Sequence, residues 1–405
     1  MRPYIFSLCF FACTACAFDT DDFLDRVDNT LTLSGFHDNF RARLSGTLDL
    51  EFYNFQQPAP GLIDSTVDNL FNPRLTLFLD AQLGSQIYFF SQVRVDRGFD
   101  PTDFGADIRL DEYALRITPW QDGRFTLQVG QFATVVGNWV PRHLSWDNPF
   151  INAPLVYDNV TAISDKYAPS SPVNFIYSPF IYQKYIFNPV IWGPSYATGI
   201  SASGQLGQFD YAVEMKNASL SSRPESWNIT ENGFDNPTFS GRIGFRPNEA
   251  WNFGFSGSEG PYFRREAEPT LPPGHDINDY REFVLGQDAS FAWHHLQLWA
   301  EFYEARFQVP NVGDVDTFAY YIEAKYKFTP QLFGAVRWNQ QVFDKINNGL
   351  GGNEHWSPNL GRIDIAATYR LTTHAQLKLQ YSFQHETTPP GQDNHLLATQ
   401  FTIRF

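Results

Sequence analysis

The most constraining feature of this chain is a two-residue alternation of apolar and polar side chains, which recurs from about residue 40 to the last residue. In the final segment, 396–405, the odd-numbered residues are apolar or threonine, and the even-numbered residues become small or polar after Leu396. The segments 377–384 and 362–371 alternate in the same way. A helix would scatter such residues around its circumference, whereas a strand sorts them onto two faces. The pattern therefore predicts an all-β fold.

Followed along the chain, the alternation predicts about 16 strands, within a range of about 14–18. Besides the three segments above, strands are predicted at 41–54, 74–83, 86–96, 109–118, 124–132, 195–205, 209–217, 238–246, 251–258, 281–292, 296–307, 318–328 and 332–342. The pattern leaves open a further short strand at 31–36 or within 174–192.

The connections between these strands alternate strictly between short and long. Short turns are predicted at 84–85, 119–123, 206–208, 247–250, 294–295, 329–331 and 372–375. Long connections rich in Pro, Gly, Asn and Asp are predicted at 55–73, 97–108, 133–194, 218–237, 259–280, 308–317, 343–361 and 385–395. This rhythm is typical of a transmembrane up-and-down antiparallel β-barrel with short periplasmic turns and long external loops. A soluble β-sandwich lacks such a rhythm, and closure removes the open edges of a large sheet.

The first 17 residues have the pattern of a secretory signal peptide. Residues 4–12 are largely apolar, and small residues precede a cleavage site after Ala17. A lipoprotein signal acylated at Cys13 or Cys16 is the alternative. All three cysteines of the chain lie in this segment, so the mature chain has no thiol for a disulfide, a metal site or haem attachment. We expect residues 18–40 to form a periplasmic N-terminal segment and residues 41–405 to form a single barrel domain.

The composition agrees with a barrel whose strands face lipid on one side and water on the other. Aromatic residues make up 17% of the chain, yet the mean hydropathy is −0.33. A net charge of −15 argues against nucleic-acid binding, which needs a basic surface. Aromatic residues near strand ends are predicted to form the interfacial girdles of such a barrel. They are Tyr53, Phe55, Trp120, Trp251, Trp293, Tyr326, Phe328, Phe333 and Phe405.

The last strand resembles the closing strand of Gram-negative outer-membrane proteins, which end in an aromatic residue after an alternating segment. Phe401, Ile403 and Phe405 carry this resemblance. It implies that the barrel-assembly machinery reads them as an assembly signal. The short motif at 130–132 also resembles porins of the phosphate- and substrate-selective kind. The resemblance to porins implies a channel in the bacterial outer membrane, in contact with lipid and lipopolysaccharide, and leaves a homotrimer open.

The connection at 133–194 is the longest in the chain and is dense in aromatic, proline and charged residues. In general porins the loop after about the fifth strand folds inward and narrows the channel, so the resemblance makes this segment the constriction candidate. Its candidate residues are Trp139, Arg142, His143, Trp146 and Asp147. An ordinary external loop that caps the barrel mouth is the alternative. In the inward case, we expect Arg142 to influence selectivity more than Arg370, and His143 to add a pH dependence between about 5.5 and 7.5.

Charged residues at inward positions form the candidate pore wall, because a lysine or arginine facing lipid at mid-bilayer costs about 2–4 kcal/mol. The basic candidates are Arg43, Arg74, Arg94, Arg116, Arg242, Arg246, Lys325, Arg337, Arg362, Arg370 and Lys378. The acidic candidates are Asp49, Glu51, Asp80, Asp96, Glu112, Glu214, Glu282, Asp288, Glu301, Glu323 and Asp364. Since both signs occur in similar numbers, we expect a salt-bridged wall rather than a ladder of one sign.

Three functions remain compatible with the sequence. The first is a porin-like channel for passive diffusion of small hydrophilic solutes or ions. The second is a substrate-selective channel for anions or sugars. The third is a non-conducting barrel that acts as a sheath or anchor for a periplasmic partner such as a multihaem cytochrome. We expect neither an enzyme nor a cofactor, because the mature chain has no Gly-x-Ser-x-Gly, phosphate-loop or His-Glu-x-x-His motif.

Overall fold

The computed structural model describes residues 20–35, 39–96, 107–180, 182–387 and 391–405. The predicted signal peptide lies outside the described residues. Within them, the chain folds into one 17-stranded sheet and a separate two-stranded hairpin. One strand of the large sheet is a short N-terminal addition, and the other 16 close into an antiparallel barrel. The predicted fold class is therefore confirmed.

The elements of the first half are α1 Thr20–Thr30, β1 Thr32–Gly35, β2 Phe40–Phe55, β3 Asn69–Leu83, β4 Ile87–Asp96, β5 Asp107–Ile117, β6 Thr126–Gln131, α2 Leu155–Asp158, α3 Pro172–Ile176, β7 Thr198–Leu206, β8 Phe209–Lys216 and β9 Thr238–Phe245. Those of the second half are β10 Trp251–Pro261, β11 Arg281–Trp293, β12 Leu296–Val309, β13 Gly313–Lys327, β14 Leu332–Phe343, β15 Lys345–Asn347, β16 Asn353–His355, β17 Leu360–Arg370, β18 Ala375–Glu386 and β19 Asp393–Arg404. The strands β15 and β16 form the separate hairpin, which lies within a long connection. Among the described residues, no helix is long and apolar enough to cross a membrane.

Each barrel strand pairs antiparallel with the next one, and β19 pairs with β2 to close the sheet. The closing register runs from Leu396 opposite Phe55 to Arg404 opposite Thr47. Beyond it, the backbone N–H of Phe405 donates to the Gly46 carbonyl at 3.0 Å, and that of Gly46 donates to the Phe405 carbonyl at 2.8 Å. The Phe405 ring packs so closely on Gly46 that an added Cβ would lie 2.7 Å from the ring. The C-terminal residue thus completes the seam.

Short and long connections lie at opposite ends of the barrel, which we call the turn end and the loop end. The start of β2 and the end of β19 both lie at the turn end, because the short connections join the same ends of successive strands. The predicted bounds differ most at β3 and β13, which begin at Asn69 and Gly313 rather than at 74 and 318. Both extensions lie at the loop end and carry polar residues and turn-forming residue types. Outside the apolar band, a strand can continue through such residues at little cost.

The burial of β18 shows how the alternation sorts its side chains. Gln376, Lys378 and Gln380 are buried on the inner face, whereas Leu377 and Leu379 are exposed on the outer face. Polar side chains are buried inside because the lumen is filled with other polar groups. Apolar side chains lie on the outer face, as in a strand whose outer side contacts lipid. This is the arrangement that the sequence predicts.

The predicted aromatic girdle is wrong at three positions. Trp251, Trp293 and Phe328 are exposed on the outer surface as expected. However, Tyr53, Phe55 and Phe333 are almost completely buried and occupy the inward positions of β2 and β14. The reason is strand parity, since a residue an even number of positions from an inward residue also points inward.

The N-terminal segment forms a helix and a short strand at the turn end. The strand β1 pairs with the start of β2, from Thr32 opposite Arg43 to Gly35 opposite Phe40. The helix α1 precedes it, and its Asp28 accepts three hydrogen bonds from the Arg43 guanidinium, the shortest at 2.7 Å. The sequence left the short strand open and did not predict the helix.

The largest buried apolar cluster lies inside the barrel toward the loop end. It combines residues of the 132–197 connection, among them Tyr157 and Trp192, with inward residues of β12 and β13 such as Phe307 and Val315. The cluster lies between the barrel wall and a connection that enters the lumen.

Candidate functional site: the lumen and the inward loop

The connection between β6 and β7, residues 132–197, is called the inward loop below. It leaves β6 just after Gly130, whose φ of +142° and close approach to β5 exclude other residues. A Cβ at this position would lie 2.1 Å from the Tyr113 carbonyl oxygen. The Lys216 ammonium donates to the carbonyls of Phe132 and Ser195 at 2.6 and 3.2 Å. This one side chain of β8 therefore ties the two ends of the loop together.

Glu301, a fully buried carboxylate of β12, fixes the first stretch of the inward loop. It accepts hydrogen bonds from the backbone N–H groups of Asn138 and Trp139, the second at 2.7 Å, and from the Tyr157 hydroxyl at 2.8 Å. Gly137 passes through this site with a φ of +83°. A Cβ there would lie within 2.5 Å of the Tyr157 hydroxyl oxygen, so the turn requires glycine. The candidate Trp139 is almost completely buried beside this turn, and it also borders the open part of the lumen.

Arg142 lies in the lumen, but its charge is cancelled there. One guanidinium nitrogen lies 2.5 Å from Glu323 of β13, and another donates to the Tyr321 hydroxyl at 3.1 Å. Its guanidinium carbon lies 4.3 Å from the centre of the Trp299 ring. A buried arginine needs such a partner, because an unpaired charge in the interior is costly. Arg142 thus joins the loop to the wall.

His143 is buried in a site that suits the neutral ring. Its Nδ1 lies 2.5 Å from the Val140 carbonyl oxygen, and its Nε2 lies 2.5 Å from the Tyr196 hydroxyl. A neutral ring with its proton on Nδ1 can donate to the carbonyl and accept from the hydroxyl. Burial lowers the pKa of His143 to about 4. The expected titration between about 5.5 and 7.5 assumed an ordinary pKa, so we now expect His143 to stay neutral in that range.

The middle of the inward loop is held against β14, β17 and β18. The Ser145 carbonyl accepts hydrogen bonds from Gln376 and Lys378, and the Ile151 N–H donates to Gln380 at 2.6 Å. Further along, the Asn152 side-chain oxygen accepts a hydrogen bond from Arg337 at 2.7 Å, and Asp158 lies 3.3 Å from Arg362. These partners point into the barrel. The loop therefore folds into the lumen and is not an external cap over the barrel mouth.

The tip of the inward loop reaches the turn end. The Trp146 ring lies between two guanidinium groups, 5.3 Å from that of Arg370 and 4.0 Å from that of Arg404. The neighbouring Asp147 is exposed. The loop thus crosses most of the lumen along the β12–β18 side.

The opposite side of the lumen is left open. A cavity lies between the inward loop and the inner faces of β2 to β5. From the wall, Arg74, Arg94 and Arg109 line it. From the loop, the lining includes His143 and Asn148.

Each of these three wall arginines has a carboxylate partner. Arg74 lies 3.3 Å from Asp49 and also binds Glu51, while Arg94 lies 3.0 Å from Asp96. Arg109 pairs with Asp111, a buried acid that the sequence reading did not single out. The cavity wall is therefore charged but largely compensated.

The remaining wall candidates are also engaged with neighbours. Asp80 accepts a hydrogen bond from Tyr88, and Arg116 donates to Gln128 at 3.0 Å. The other contacts are Arg242 with Asp210 and Asp288, Arg337 with Glu323 and Asp364, and Arg362 with Asp364. Arg43 lies at the turn end, where it binds Asp28 of α1.

Lys184 anchors the inward loop, although no pattern in the sequence singles it out. Its ammonium donates to three carbonyl oxygens of the connection between β2 and β3, those of Ala59, Gly61 and Ile63. The last two bonds measure 2.6 and 2.7 Å. The acceptors are backbone atoms more than 100 residues away in sequence, so a side-chain pattern cannot reveal them.

No protein-family model matches the sequence, and no curated protein sequence matches it. Solved structures match by fold, each over its full length. The outer membrane channel DcaP of Acinetobacter baumannii has a TM-score of 0.56 and 11% identity over 92% of this chain. An anion-selective porin from Comamonas acidovorans has a TM-score of 0.54 and 10% identity over 90%. The trimer form of OmpT from Vibrio cholerae has a TM-score of 0.56 and 9% identity over 91%. The chain thus has the porin-type barrel fold, and these likenesses define no subfamily.

Proposed function

We propose that this protein is an outer-membrane channel for the passive diffusion of small hydrophilic solutes and ions. The observation that carries the proposal is the cavity between the inward loop and β2 to β5, lined by charged and amide side chains inside a closed barrel. A lumen lined by charged and amide side chains favours hydrated solutes over apolar ones. The inward loop sets the cross-section, because its contacts with the wall hold it on one side.

The proposal includes a location and an orientation. Residues 1–17 direct the chain across the inner membrane and are removed after Ala17. The turn end then faces the periplasm and the loop end faces outward, where the long connections meet lipopolysaccharide. The exposed apolar outer face contacts lipid, and the barrel-assembly machinery inserts the protein. A homotrimer is a plausible assembly, since a relative in fold, OmpT of Vibrio cholerae, is described in a trimer form.

The lumen supports a channel better than a catalytic site. Two buried titratable side chains that could act as acid or base, Glu301 and His143, are used to hold the inward loop. Glu301 binds two backbone N–H groups and a tyrosine hydroxyl, and His143 is bonded at both ring nitrogens. A general base needs a free lone pair directed at a substrate proton.

Single-channel recording tests the proposal. The refolded barrel in a planar bilayer should give discrete conductance steps. Replacing 139–158 by a short Gly-Ser linker should raise the step size by about twofold or more, because it removes the obstacle from the lumen. Replacing 349–352, the exposed tip of the β15–β16 hairpin, serves as the control and should leave the steps unchanged. Absence of any step from correctly folded protein would favour the sheath or anchor.

A substrate-selective channel for anions is the second candidate. The specific observation that favours it is a group of lumenal cations at the turn end. These cations are Lys325, Arg370, Lys378 and Arg404. Among the described residues they have no carboxylate partner, in contrast to Arg74, Arg94 and Arg142. One structure with the same fold is described as an anion-selective porin.

A further inference from the structure

Four inward-facing cations lie close together at the turn end of the barrel. We call Lys325, Arg370, Lys378 and Arg404 the cation belt. They belong to β13, β17, β18 and β19, and each falls on the inward parity of its strand. The strand register places Lys378 opposite Thr368 on β17. The belt therefore follows neighbouring strands around part of the inner wall.

Aromatic rings connect three members of the belt, Lys325, Arg370 and Arg404. The Lys325 ammonium lies 4.3 Å from the centre of the Phe333 ring, and the Arg370 guanidinium lies 5.7 Å from the same ring. Arg370 and Arg404 then share the Trp146 ring of the inward loop, at 5.3 and 4.0 Å. A guanidinium that lies over a ring keeps the N–H groups of its edge available for a planar acceptor.

The charge of the belt is not compensated by ion pairs. Within the described part of the chain, none of its four members makes a salt bridge, whereas Arg337 and Arg362 nearby each bind carboxylates. Asp147 at the loop tip interacts electrostatically with both Lys325 and Arg404. It forms no ion pair with either of them. Lys378 interacts electrostatically with Asp49 and Glu51, but both carboxylates already form ion pairs with Arg74.

Donor groups in the belt also lack acceptors. The Nε of Arg370 is buried and has no hydrogen-bond partner among the described residues. The Lys378 ammonium, which is completely buried, donates to the Ser145 carbonyl, which leaves two of its three N–H groups unused in the described contacts. Buried donors are normally satisfied, so these N–H groups can donate to an acceptor that enters the lumen.

We propose that the cation belt is a binding site for small oxyanions with two or more negative charges, such as phosphate or a polycarboxylate, and gives the lumen an anion preference. Guanidinium groups bind phosphate and carboxylate oxygens in pairs, and two ammonium groups add charge without fixing geometry. The site lies beyond the compensated wall of the cavity, where a solute leaves the lumen at the turn end. This inference rests on the proposed channel function, since the belt acts on solutes that pass through the lumen.

Reversal potentials in a KCl gradient test the belt. The wild-type channel should prefer chloride over potassium. The variant K325Q/R370Q/R404Q should lower the chloride-to-potassium permeability ratio by about threefold or more. Arg124→Gln is the control, because it removes one charge from an exposed turn-end residue outside the belt. Inorganic phosphate at millimolar concentration should reduce the wild-type KCl current from one side of the bilayer and leave the triple variant unaffected.

The outcomes separate the belt from the channel. If both proteins conduct and have the same chloride-to-potassium permeability ratio, the proposed anion site is wrong and the proposed channel function stands. If no protein conducts, the channel proposal fails, and calorimetric titration of the detergent-solubilised barrel with phosphate then decides on the belt. Heat released by wild type and not by the variant would support it, and equal heats would refute it. Should the triple variant not fold, Arg404→Gln alone replaces it, since this side chain is exposed.

Discussion

Arg142 and Arg370 both extend into the lumen, but their surroundings differ in charge. Arg142 lies against Glu323, whose other oxygen lies 3.6 Å from Arg337. Arg370 lies over Trp146 and Phe333 and forms no ion pair among the described residues. A permeating ion responds to net charge, so a compensated arginine contributes less than an uncompensated one.

Neutral substitutions should therefore rank these two arginines in the order opposite to the one expected from the sequence. Arg370→Gln should lower the chloride-to-potassium permeability ratio by about twofold, whereas Arg142→Gln should change it by a smaller factor because Arg337 still compensates Glu323. Reversal potentials at matched folding yield measure both. A larger effect of Arg142→Gln would show that the middle of the inward loop, not the turn end, controls selectivity.

His374, in the turn between β17 and β18, gives a second prediction for a single residue. Its Nδ1 lies 2.9 Å from the Arg404 carbonyl oxygen, and its Nε2 lies 2.9 Å from the Asp25 carboxylate of α1. Both neighbours are acceptors, so only the doubly protonated ring satisfies them. Burial lowers the pKa of His374, but the hydrogen bonds to Asp25 and Arg404 outweigh it and the net shift is upward.

The pKa of His374 is raised when α1 is bound to the turn between β17 and β18. Protonation of His374 therefore stabilises the binding of α1 at low pH, and this stabilisation is lost as the pH rises through the raised pKa. Cleavage of the N-terminal segment by an added protease should accordingly become faster from about pH 6.5 upward. His374→Gln should make cleavage fast and nearly independent of pH over the same range, and Asp25→Asn should have a similar effect. Wild-type cleavage that is flat across this range would contradict the role of His374.

The sequence identified individual side chains correctly by parity but could not identify their partners. The inward positions of Arg74, Arg337 and Asp364 follow from alternation alone. In contrast, the pairing of Arg142 with Glu323 joins residues 181 positions apart, and nothing local indicates it. Tyr53 was assigned to the girdle although its parity with Asp49 already placed it inside, so this error was avoidable.

Among elements, the strands were predictable and the connections were not. Alternation over ten or more residues identifies a strand such as β18 because each side chain has only two directions to take. The path of the inward loop depends instead on backbone groups, as the N–H donors to Glu301 show. The helix α1 was not predicted, although its eleven residues, which include four aspartates, form an amphipathic helix.

Lys184 allows the attachment of the inward loop to its neighbour to be tested. It uses all three of its N–H groups on carbonyls of the connection between β2 and β3. Lys184→Met should lower the free energy of local opening of residues 56–68 by about 2–4 kcal/mol, since hydrogen bonds to a charged group are strong and the carbonyls lose their partner. Hydrogen exchange of that connection measures the change.

The control is Lys166→Met in the same loop. The Lys166 ammonium lies 3.8 Å from Glu225, and both side chains are partly exposed. Such pairs contribute about 0–1 kcal/mol, so exchange in residues 56–68 should stay as in wild type. If both substitutions changed hydrogen exchange in residues 56–68 equally, the effect would come from the loss of a positive charge in the loop. The three hydrogen bonds from Lys184 to carbonyl oxygens would then not explain it.

At the scale of the whole molecule, closure joins the first barrel strand to the last. Since β2 and β19 are almost the full chain apart in sequence, their pairing requires all intervening strands to be in register. Non-local pairing of this kind is slow to form and leaves edges exposed until it is complete. A residue at the end of the seam can therefore matter more for assembly than for the finished barrel.

Phe405 is such a residue, and its removal gives the last prediction. Deleting it removes two backbone hydrogen bonds to Gly46 and one ring, a small part of a barrel with 16 paired strands. We expect the truncated chain to refold in detergent with a yield near that of wild type, because the other pairs of the seam remain. Its level in the outer membrane should fall about tenfold or more if, as we propose, the assembly machinery reads the terminal aromatic residue. Phe328→Ala, which removes an exposed ring at another point of the turn end, is the control and should assemble normally. The fraction of heat-modifiable protein in outer-membrane and refolded samples measures both steps. An equal loss in the two samples would assign Phe405 a purely structural role, and normal outer-membrane levels would remove it as an assembly signal.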